Sequence, residues 1–295
     1  MKYVVIAEGL GNQMFQYAFC LGIRAKRKRC SLIIPLRKKT FTHNGYELKK
    51  LFTITKDETL LSALKSGFVS FFRLATRSFS AQGQERLYSS IGIHIVSDEN
   101  KNFLFNADIA QDDNKNELFI GTWQSEKYFT NAQNEVREAF RFKEEPLSGQ
   151  TKALRNEIQV CNSVSIHIRR GDYMTPQYIS LFGNICNEQY YQQAIAHIKQ
   201  NVENPRFYIF TDDKEWVNSN FKLDDAQYVN FNTGKNSWQD MFLMSQCKHN
   251  IIANSTFSWW GAWLNSNPSK ITIAPKKWSN AFEKDDIIPD SWIRF

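Results

Sequence analysis

Closely spaced cysteines and long apolar runs are both absent from this sequence. Without a short cysteine spacing, neither a zinc site nor a disulfide framework is indicated, and we expect reduced, buried thiols. No apolar run approaches the length of a membrane-spanning helix. The chain opens on a strand pattern rather than a signal peptide, so we predict a cytoplasmic protein. The five cysteines are Cys20, Cys30, Cys161, Cys186 and Cys247.

A dinucleotide-binding fingerprint and internal repeats are also missing. The segment Gly9-Leu10-Gly11-Asn12-Gln13 follows a strand pattern and precedes a helical one. It does not complete G-x-G-x-x-G, because Met14 stands where the third glycine would be. Glycines at such a turn let the backbone approach a ligand, and a helix N-terminus favours anions. The steric needs of a tight turn explain the same glycines, so both interpretations stay open.

Charge of one sign is in modest excess. The 37 lysines and arginines exceed the 30 acidic residues by 7, and a basic cluster lies at 24–29 with further basic residues at 37–39. Such a cluster is typical of a solvated helix end. Peripheral contact with an anionic membrane surface, on its inner face, is the alternative. Nucleic-acid binding is not favoured, because the positive charge is not interleaved with aromatic residues.

Short apolar runs alternate with amphipathic helical stretches, which indicates an α/β protein with parallel sheets. A Pro-Ser-Gly-containing segment at 144–149 marks the seam between two domains. The predicted strands cover 3–7, 32–36, 118–121, 164–169, 207–211, 227–231, 250–253 and 271–274. The predicted helices cover 13–29, 56–77, 131–140, 150–159, 188–200 and 238–247.

Two adjacent arginines follow the strand pattern at 164–169. Ligands of open parallel sheets bind beyond the carboxyl ends of the strands, where Arg169 and Arg170 lie, with His167 on the same side of the strand as Arg169. Guanidinium groups match phosphate oxygens bidentately. Asp172 is an internal partner for one arginine and cannot neutralise both. The pattern therefore favours a phosphate for at least one of them.

A hydroxyl-rich segment stands between a strand and an apolar helix at 251–264. Ser255 or Thr256 is a suitable N-cap for that helix. Together with Ser258, these hydroxyls also suit a phosphate or oxyanion cradle at the helix start. Three tryptophans of the segment have the spacing of core residues: Trp259, Trp260 and Trp263.

Three segments together resemble the signatures of α-1,2-fucosyltransferases, glycosyltransferase family 11. They are Gly-Leu-Gly-Asn-Gln-Met-Phe-Gln-Tyr-Ala at 9–18, His-Ile-Arg-Arg-Gly-Asp-Tyr at 167–173 and Asn-Ser-Thr-Phe-Ser-Trp-Trp-Gly-Ala-Trp-Leu at 254–264. The arginine motif resembles that of α-1,6-fucosyltransferases as well, and the other two segments narrow the likeness to the α-1,2 family. One departure is Glu8, which stands where the family usually has glycine.

The resemblance implies a GT-B fold, two Rossmann-like domains facing a central cleft, and transfer of L-fucose from GDP-fucose to a galactoside hydroxyl. It implies an acceptor-side domain at 1–147 and a GDP-fucose-binding domain at 148–295. Catalytic roles are implied or proposed for Arg169, Asn12, Glu8 and Asp172. Donor-binding roles are implied for Gly11, Asn12, His167, Arg169, Arg170, Asp240, Ser255, Thr256 and Ser258, with Asp240 resembling the aspartate that reads the guanine edge.

The expected reaction inverts the anomeric carbon, since GDP-fucose is β-linked and the family makes α-linkages. The sequence has no Asp-x-Asp with which to hold a divalent ion, and Asp212 and Asp213 are adjacent instead. Arginine and helix amides then stabilise the leaving diphosphate, and we expect neither metal nor cofactor. Asp212 is expected to cap the next helix. The base is left open between Glu8 and Asp172, with His43 as a more distant alternative.

Two other functions stay open beside that of a galactoside 2-fucosyltransferase. One is a fucosyltransferase of the same clan with another linkage, and the other is a non-catalytic sugar-binding protein. The partners expected are GDP-fucose and a galactose-terminated glycan.

Overall fold

The computed structural model describes residues 1–26, 28–35, 40–54, 67–69, 71, 79–98, 103–109, 111, 115–224 and 226–295. The chain divides into two compact units, Met1–Phe142 and Lys143–Phe295. The boundary predicted after residue 147 falls inside the second unit. The helix predicted over 56–77 lies almost wholly outside the described residues.

The first unit contains a parallel sheet with the strand order β2-β1-β4-β3 among its described residues. The strand β3 was not predicted, because only its first residue is buried and the apolar pattern is short. In chain order the elements are β1 (Lys2–Val5), α1 (Leu10–Ala25), β2 (Cys30–Ile33), α2 (Leu48–Leu51), α3 (Ala81–Ser90), β3 (Ile93–Ser97), β4 (Asn116–Ile120), a 3₁₀ segment (Glu126–Ala132) and α4 (Gln133–Ala139).

Helix α1 packs closely on the 3₁₀ segment of the first unit. Gly22 permits this approach, because a Cβ added there would lie 2.1 Å from the carbonyl oxygen of Tyr128. Around the contact the ring of Phe19 stacks on that of Trp123 at 4.6 Å and meets Tyr128 edge-on at 5.3 Å. This aromatic cluster holds the C-terminal half of α1 against the 3₁₀ segment.

The second unit contains a parallel sheet with the strand order β10-β9-β8-β5-β6-β7. In chain order its elements are α5 (Gly149–Gln159), β5 (Asn162–Ile168), a 3₁₀ turn (Asp172–Met174), α6 (Ile179–Phe182), α7 (Glu188–Asn201), β6 (Pro205–Thr211), α8 (Lys214–Asn220), β7 (Gln227–Val229), a 3₁₀ turn (Gly234–Asn236), α9 (Trp238–Gln246), β8 (His249–Ile251), α10 (Thr256–Leu264), β9 (Thr272–Ala274) and β10 (Ile293–Arg294).

Both faces of the second sheet are covered. Along β5 the apolar side chains of Val164 and Ile166 are buried, and so are the intervening Ser165 and His167. Two-sided burial is the usual condition of a parallel sheet flanked by helices. The three tryptophans of α10 are buried as predicted: Trp259, Trp260 and Trp263. The α/β class is confirmed, and the carboxyl end of β5 is held between two strands that end at the same edge.

Candidate functional site

The carboxyl ends of β5 and β6 meet at one edge of the second sheet. Ile168 is paired in register with Thr211, so the residues that follow each strand become neighbours. The arginine pair Arg169–Arg170 therefore lies beside the acidic pair Asp212–Asp213. Parallel pairing of two adjacent strands thus assembles a cluster of opposite charges where such sheets bind ligands.

Arg169 is held by two carboxylates. Its Nη2 donates to Oδ1 of Asp172 at 2.7 Å, and its Nη1 lies 2.8 Å from Oδ2 of Asp212. The guanidinium carbon also stands 5.4 Å from the ring centroid of Tyr173. The Nε atom is buried and has no hydrogen-bond partner in the described part of the chain. Arg169 is therefore oriented on both sides and retains a donor for a ligand.

Arg170 is oriented by the start of α8. Its Nε donates to Oδ2 of Asp213 at 3.2 Å, and its guanidinium carbon lies 3.9 Å from the ring centroid of Trp216. The other oxygen of Asp213 accepts from the backbone N–H of Trp216 at 3.0 Å. Asp213 is thus the N-cap of α8, and the prediction that Asp212 caps this helix was wrong. Asp212 is one residue too early, since α8 begins at Lys214.

Asp212 instead shapes the turn that carries the arginines. Its Oδ1 accepts from the backbone N–H of Arg170 at 2.9 Å and of Gly171 at 3.3 Å. Gly171 is required sterically, because a Cβ there would lie 2.5 Å from Oδ2 of Asp212. The sequence argument that no internal carboxylate is left for the second arginine was wrong. Asp212 and Asp213 also pair with them, and the acidic pair after the next strand was the signal.

His167 lies buried at the end of β5. Burial, and then the charge of Arg169, lower the pKa of His167 to about 3, so the imidazole is neutral at physiological pH. Its Nδ1 has no hydrogen-bond partner among the described residues. The ring stands 5.9 Å from that of Phe257 in the first turn of α10. This contact brings the arginine strand and the hydroxyl-rich segment together.

The hydroxyl-rich segment is fixed mainly through its backbone. The hydroxyl of Tyr173 donates to the carbonyl oxygen of Asn254 at 3.0 Å, which joins the arginine turn to this segment. Ser255 occupies the N-cap position of α10, but its side chain makes no capping hydrogen bond, and Thr256 is the first helical residue. The buried hydroxyl of Ser258 donates to the carbonyls that precede it, at 3.3 and 3.4 Å. Ser258 therefore serves the turn itself.

Asp240 lies in the first turn of α9, beyond the carboxyl end of β7. Its Oδ1 accepts from Nδ2 of Asn232 at 2.8 Å, and Asn232 in turn accepts from the hydroxyl of Thr151 at 3.2 Å. Burial raises the pKa of Asp240 to about 7, against the opposing effects of Asn232 and Lys214. Asp240 is thus at the same sheet edge as the arginines, in a hydrogen-bond network of its own.

Glu8, Gly11 and Asn12 belong to the first unit, and the structure brings Glu8 and Asn12 together. Nδ2 of Asn12 donates to Oε2 of Glu8, and Oδ1 of Asn12 accepts from Nε2 of Gln124 at 2.6 Å. Gly11 is buried in the first turn of α1. Gln124 was not predicted from the sequence, since it lies 112 residues from Asn12. The predicted catalytic residues therefore fall into two groups, one in each unit.

The backbone of Glu8 is left-handed, with a φ angle of 67°. This conformation favours glycine and costs roughly 1 kcal/mol or more for other residues. Glycine would adopt this conformation without that cost. The glutamate is retained here despite that cost.

In the described ranges, no three or more His, Cys, Asp or Glu side chains form a group that could hold a metal ion. No helix in those ranges combines the length and the apolar character needed to cross a membrane.

Comparisons with known proteins cover the whole chain. The model of Glycosyl transferase family 11 matches residues 1–295. An alpha-1,2-colitosyltransferase of Escherichia coli is 35% identical, over 98% of this chain and 97% of that protein. The O-antigen biosynthesis glycosyltransferase WbnK of Escherichia coli is 32% identical, over 99% of each.

Among solved structures, the alpha-1,6-fucosyltransferase NodZ, soaked with GDP-fucose, matches with a TM-score of 0.51 at 14% identity. The match covers 91% of this chain and 96% of that one. NodZ comes from Bradyrhizobium. This likeness concerns the fold, and it confirms the GT-B type predicted for the α/β chain.

Proposed function

Since the chain belongs to glycosyltransferase family 11, we propose that it transfers L-fucose from GDP-L-fucose to the 2-hydroxyl of a galactose-terminated glycan, with inversion. The α-1,2 linkage is supported by the colitosyltransferase relative. The donor is supported by the matching fold of NodZ, whose structure was obtained after soaking with GDP-fucose. On this basis residues 148–295 bind the donor and residues 1–147 bind the acceptor.

The arginine pair after β5 is the observation that carries the proposal. Arg169 and Arg170 are held in place by carboxylates and by aromatic rings, at the sheet edge where ligands bind. A guanidinium has five N–H donors in a rigid fork. The two ion pairs of Arg169 leave its Nε available, and a diphosphate is an anion of matching geometry.

Stabilisation of the leaving GDP is the task assigned to these arginines. Charge accumulates on the β-phosphate as the bond to the anomeric carbon breaks, and fixed cations lower the energy of that state most. Asp172 and Asp212 orient Arg169 before the donor arrives, so little reorganisation is needed. Asp172 is therefore a positioning residue, because its carboxylate is already engaged by Arg169.

Recognition of the nucleoside is assigned to Asp240 and His167. An ionised Asp240 can accept from the N1–H and the exocyclic amine of guanine, which adenine does not offer as a donor pair. Neutral His167 has an Nδ1 without a partner in the described part of the chain, and this atom suits a ribose hydroxyl. Backbone amides of the first turn of α10, from Thr256 onward, suit a phosphate oxygen, whereas the amide of Ser255 already donates to the carbonyl oxygen of Ala253 at 2.7 Å.

We propose that no metal ion takes part. The oriented N–H donors of the arginines would hold the diphosphate in place of a divalent ion, for which this sequence has no Asp-x-Asp motif. A cytoplasmic location and peripheral contact of the basic cluster at 24–29 with an anionic membrane surface are also proposals. Flotation of the protein with phosphatidylserine vesicles, against neutral ones, tests that contact.

A second donor is favoured by a specific observation, the 35% identity to a colitosyltransferase. Colitose is L-fucose without its 3-hydroxyl group. The two donors are separated by a competition assay with equal amounts of GDP-fucose and GDP-colitose. A preference for fucose supports the proposal, and a strong preference for colitose assigns the other donor.

An acceptor screen with GDP-fucose, followed by linkage analysis of the product, tests the proposed reaction. An α-1,2-linked fucosyl galactoside is the expected product. Calorimetry with GDP in EDTA tests independently whether the protein is a transferase, since a non-catalytic sugar-binding protein has no reason to bind GDP.

A further inference from the structure

We propose that Glu8 is the residue that binds the reacting hydroxyl of the acceptor and removes its proton. This assignment rests on the transfer reaction proposed above and deepens it. The evidence lies within the first unit, where Glu8, Asn12 and Gln124 form a hydrogen-bonded chain just beyond the carboxyl ends of β1 and β4. Those two strands are paired in the parallel sheet, and this edge is where such sheets bind ligands.

The backbone of Glu8 is held in an unfavourable conformation by its surroundings. Its N–H donates to the carbonyl of Thr40 at 3.0 Å, and its carbonyl accepts from Nε2 of Gln13 at 2.8 Å. The same Nε2 also donates to the carbonyl of Gly45 at 2.8 Å. With a φ angle of 67°, glycine would satisfy this position without strain. Retention of a strained, ionisable side chain points to a role in function.

Hydrogen bonding fixes the orientation of both side-chain amides in the series Glu8–Asn12–Gln124. An ionised carboxylate only accepts, so Asn12 must present its NH₂ group to Glu8. The carbonyl oxygen of Asn12 must then accept from the NH₂ group of Gln124. Gln124 is 8% exposed, and its Oε1 is left without a hydrogen-bond partner among the described residues. A buried acceptor without a donor is costly, and a sugar hydroxyl would satisfy it.

The hydrogen-bonded side chains of Glu8, Asn12 and Gln124 therefore offer a polyhydroxylated ligand two acceptor oxygens of different kinds. Glu8 is partly exposed and negatively charged, whereas the free oxygen of Gln124 is neutral and buried. The carboxylate suits the hydroxyl that reacts, and the amide suits a neighbouring hydroxyl of the same sugar. Asn12 is a positioning residue, because it connects the two.

The chemical step balances with the groups named. The hydroxyl proton passes to Glu8 as the acceptor oxygen forms its bond to the anomeric carbon of fucose. The bond from that carbon to the β-phosphate oxygen breaks, and its electron pair leaves with GDP. No oxidant, reductant or metal is required.

Among the described residues, two other titratable groups that lie close to this turn, His43 and Glu47, must be distinguished from Glu8. The exposed His43 contacts Gly9, where an added Cβ would lie 3.2 Å from the imidazole. The buried Glu47 is joined to Gln13 through its backbone N–H, and burial raises the pKa of its carboxyl group. His43→Gln should therefore keep the kcat of the wild type within about threefold.

Two substitutions of Glu8 separate its charge from its conformation. Glu8→Gly suits the left-handed backbone, so this variant should fold at least as stably as the wild type. Glu8→Gln keeps an oxygen for Asn12 but cannot take the proton. For both variants we expect kcat to fall about 100-fold or more, while the Kd for GDP stays within about twofold.

The possible outcomes distinguish a failure of the base assignment from a failure of the proposed transfer reaction. If wild type transfers fucose and both variants retain kcat within about threefold, the base role of Glu8 is wrong while the proposed function stands. If Glu8→Gln is active and Glu8→Gly is not, Glu8 only positions Asn12, which also overturns the base role. If wild type transfers no fucose from GDP-fucose to any galactoside, the proposed function itself has failed.

Discussion

Arg169 and Asp212 form an ion pair of 2.8 Å between the ends of two neighbouring parallel strands. The same carboxylate accepts the backbone N–H groups of Arg170 and Gly171. One side chain thus fixes both the guanidinium and the turn that carries it. The arginine pair is preorganised by the protein before any ligand is bound, which is the condition for strong stabilisation of a leaving anion.

Removal of the Asp212 side chain should weaken both the fold and donor binding. Asp212→Ala leaves Arg169 with one carboxylate and two backbone amides without an acceptor, so we expect a loss of about 2–4 kcal/mol in the free energy of unfolding. GDP affinity should fall by about tenfold or more. Urea unfolding and calorimetry measure the two quantities.

The control for Asp212 is Glu144, whose exposed carboxylate lies 3.1 Å from Arg155 in the same unit. Glu144→Gln should change neither quantity by more than about 0.5 kcal/mol. Equal effects of Asp212→Ala and Glu144→Gln would contradict the role of Asp212.

The turn at Gly171 should tolerate no side chain. Gly171→Ala places a methyl group 2.5 Å from Oδ2 of Asp212, so either that carboxylate or the turn must shift, and Arg169 loses its orientation. We expect transfer activity to fall by about 100-fold, as for other small displacements of positioned groups. Gly149→Ala is the matched control, because a Cβ there meets nothing within 4 Å. Similar kcat values for the two variants would show that the turn does not position the arginines.

GDP binding should weaken as the pH falls through the pKa of Asp240, about 7. Protonation removes the charged acceptor that guanine requires, so the Kd for GDP should rise as the pH drops from about 8 to about 6. Asp240→Asn should bind GDP weakly at both pH values. Calorimetry with GDP, and with ADP for comparison, measures this. A GDP-to-ADP preference that survives in Asp240→Asn would place guanine recognition elsewhere.

Ionisation of Asp240 favours GDP binding, but it lowers the stability of the unliganded protein. The pKa of Asp240 is higher in the folded state than its ordinary value of 3.8, so the folded state binds more protons between those values. Stability from this group is therefore lost as the pH rises from about 4 to about 7. In Asp240→Asn this part of the pH dependence should vanish, which thermal unfolding at each pH would show.

Transfer activity should survive chelation. In saturating EDTA the rate should stay within about twofold of that in buffer, because oriented arginine N–H donors hold the diphosphate in place of a metal ion. Loss of activity that Mg²⁺ or Mn²⁺ restores would contradict metal independence.

The sequence was sufficient to predict the α/β class and the placement of the arginines, because strand periodicity and strand ends are local properties. It also indicated an acidic pair after the next strand. It could not show that Asp212 contacts the arginine turn. Asp212 lies 42 residues from Arg170, and the two meet only because their strands are neighbours in the sheet. Asp212 was consequently assigned a capping role that belongs to Asp213.

In the first unit, too, the contacts around Glu8 could be predicted only in part from the sequence. Glycine-rich turns after a strand are visible in sequence, and Asn12 was predicted from its motif. The contact with Gln124 was not predictable, because it joins the residues that follow β1 and β4 through pairing of distant strands. The left-handed backbone of Glu8 was equally hidden, since a glutamate in the sequence gives no sign of it.

Linkage analysis of the product formed from GDP-fucose and a galactose-terminated acceptor tests the central claim most directly. Wild type should yield an α-1,2-linked fucosyl galactoside, and folded Arg169→Ala should yield it at least about 1,000-fold more slowly, because the leaving diphosphate loses its oriented cation. Absence of fucosyl product from wild type, or near-equal rates for the two proteins, would contradict the account.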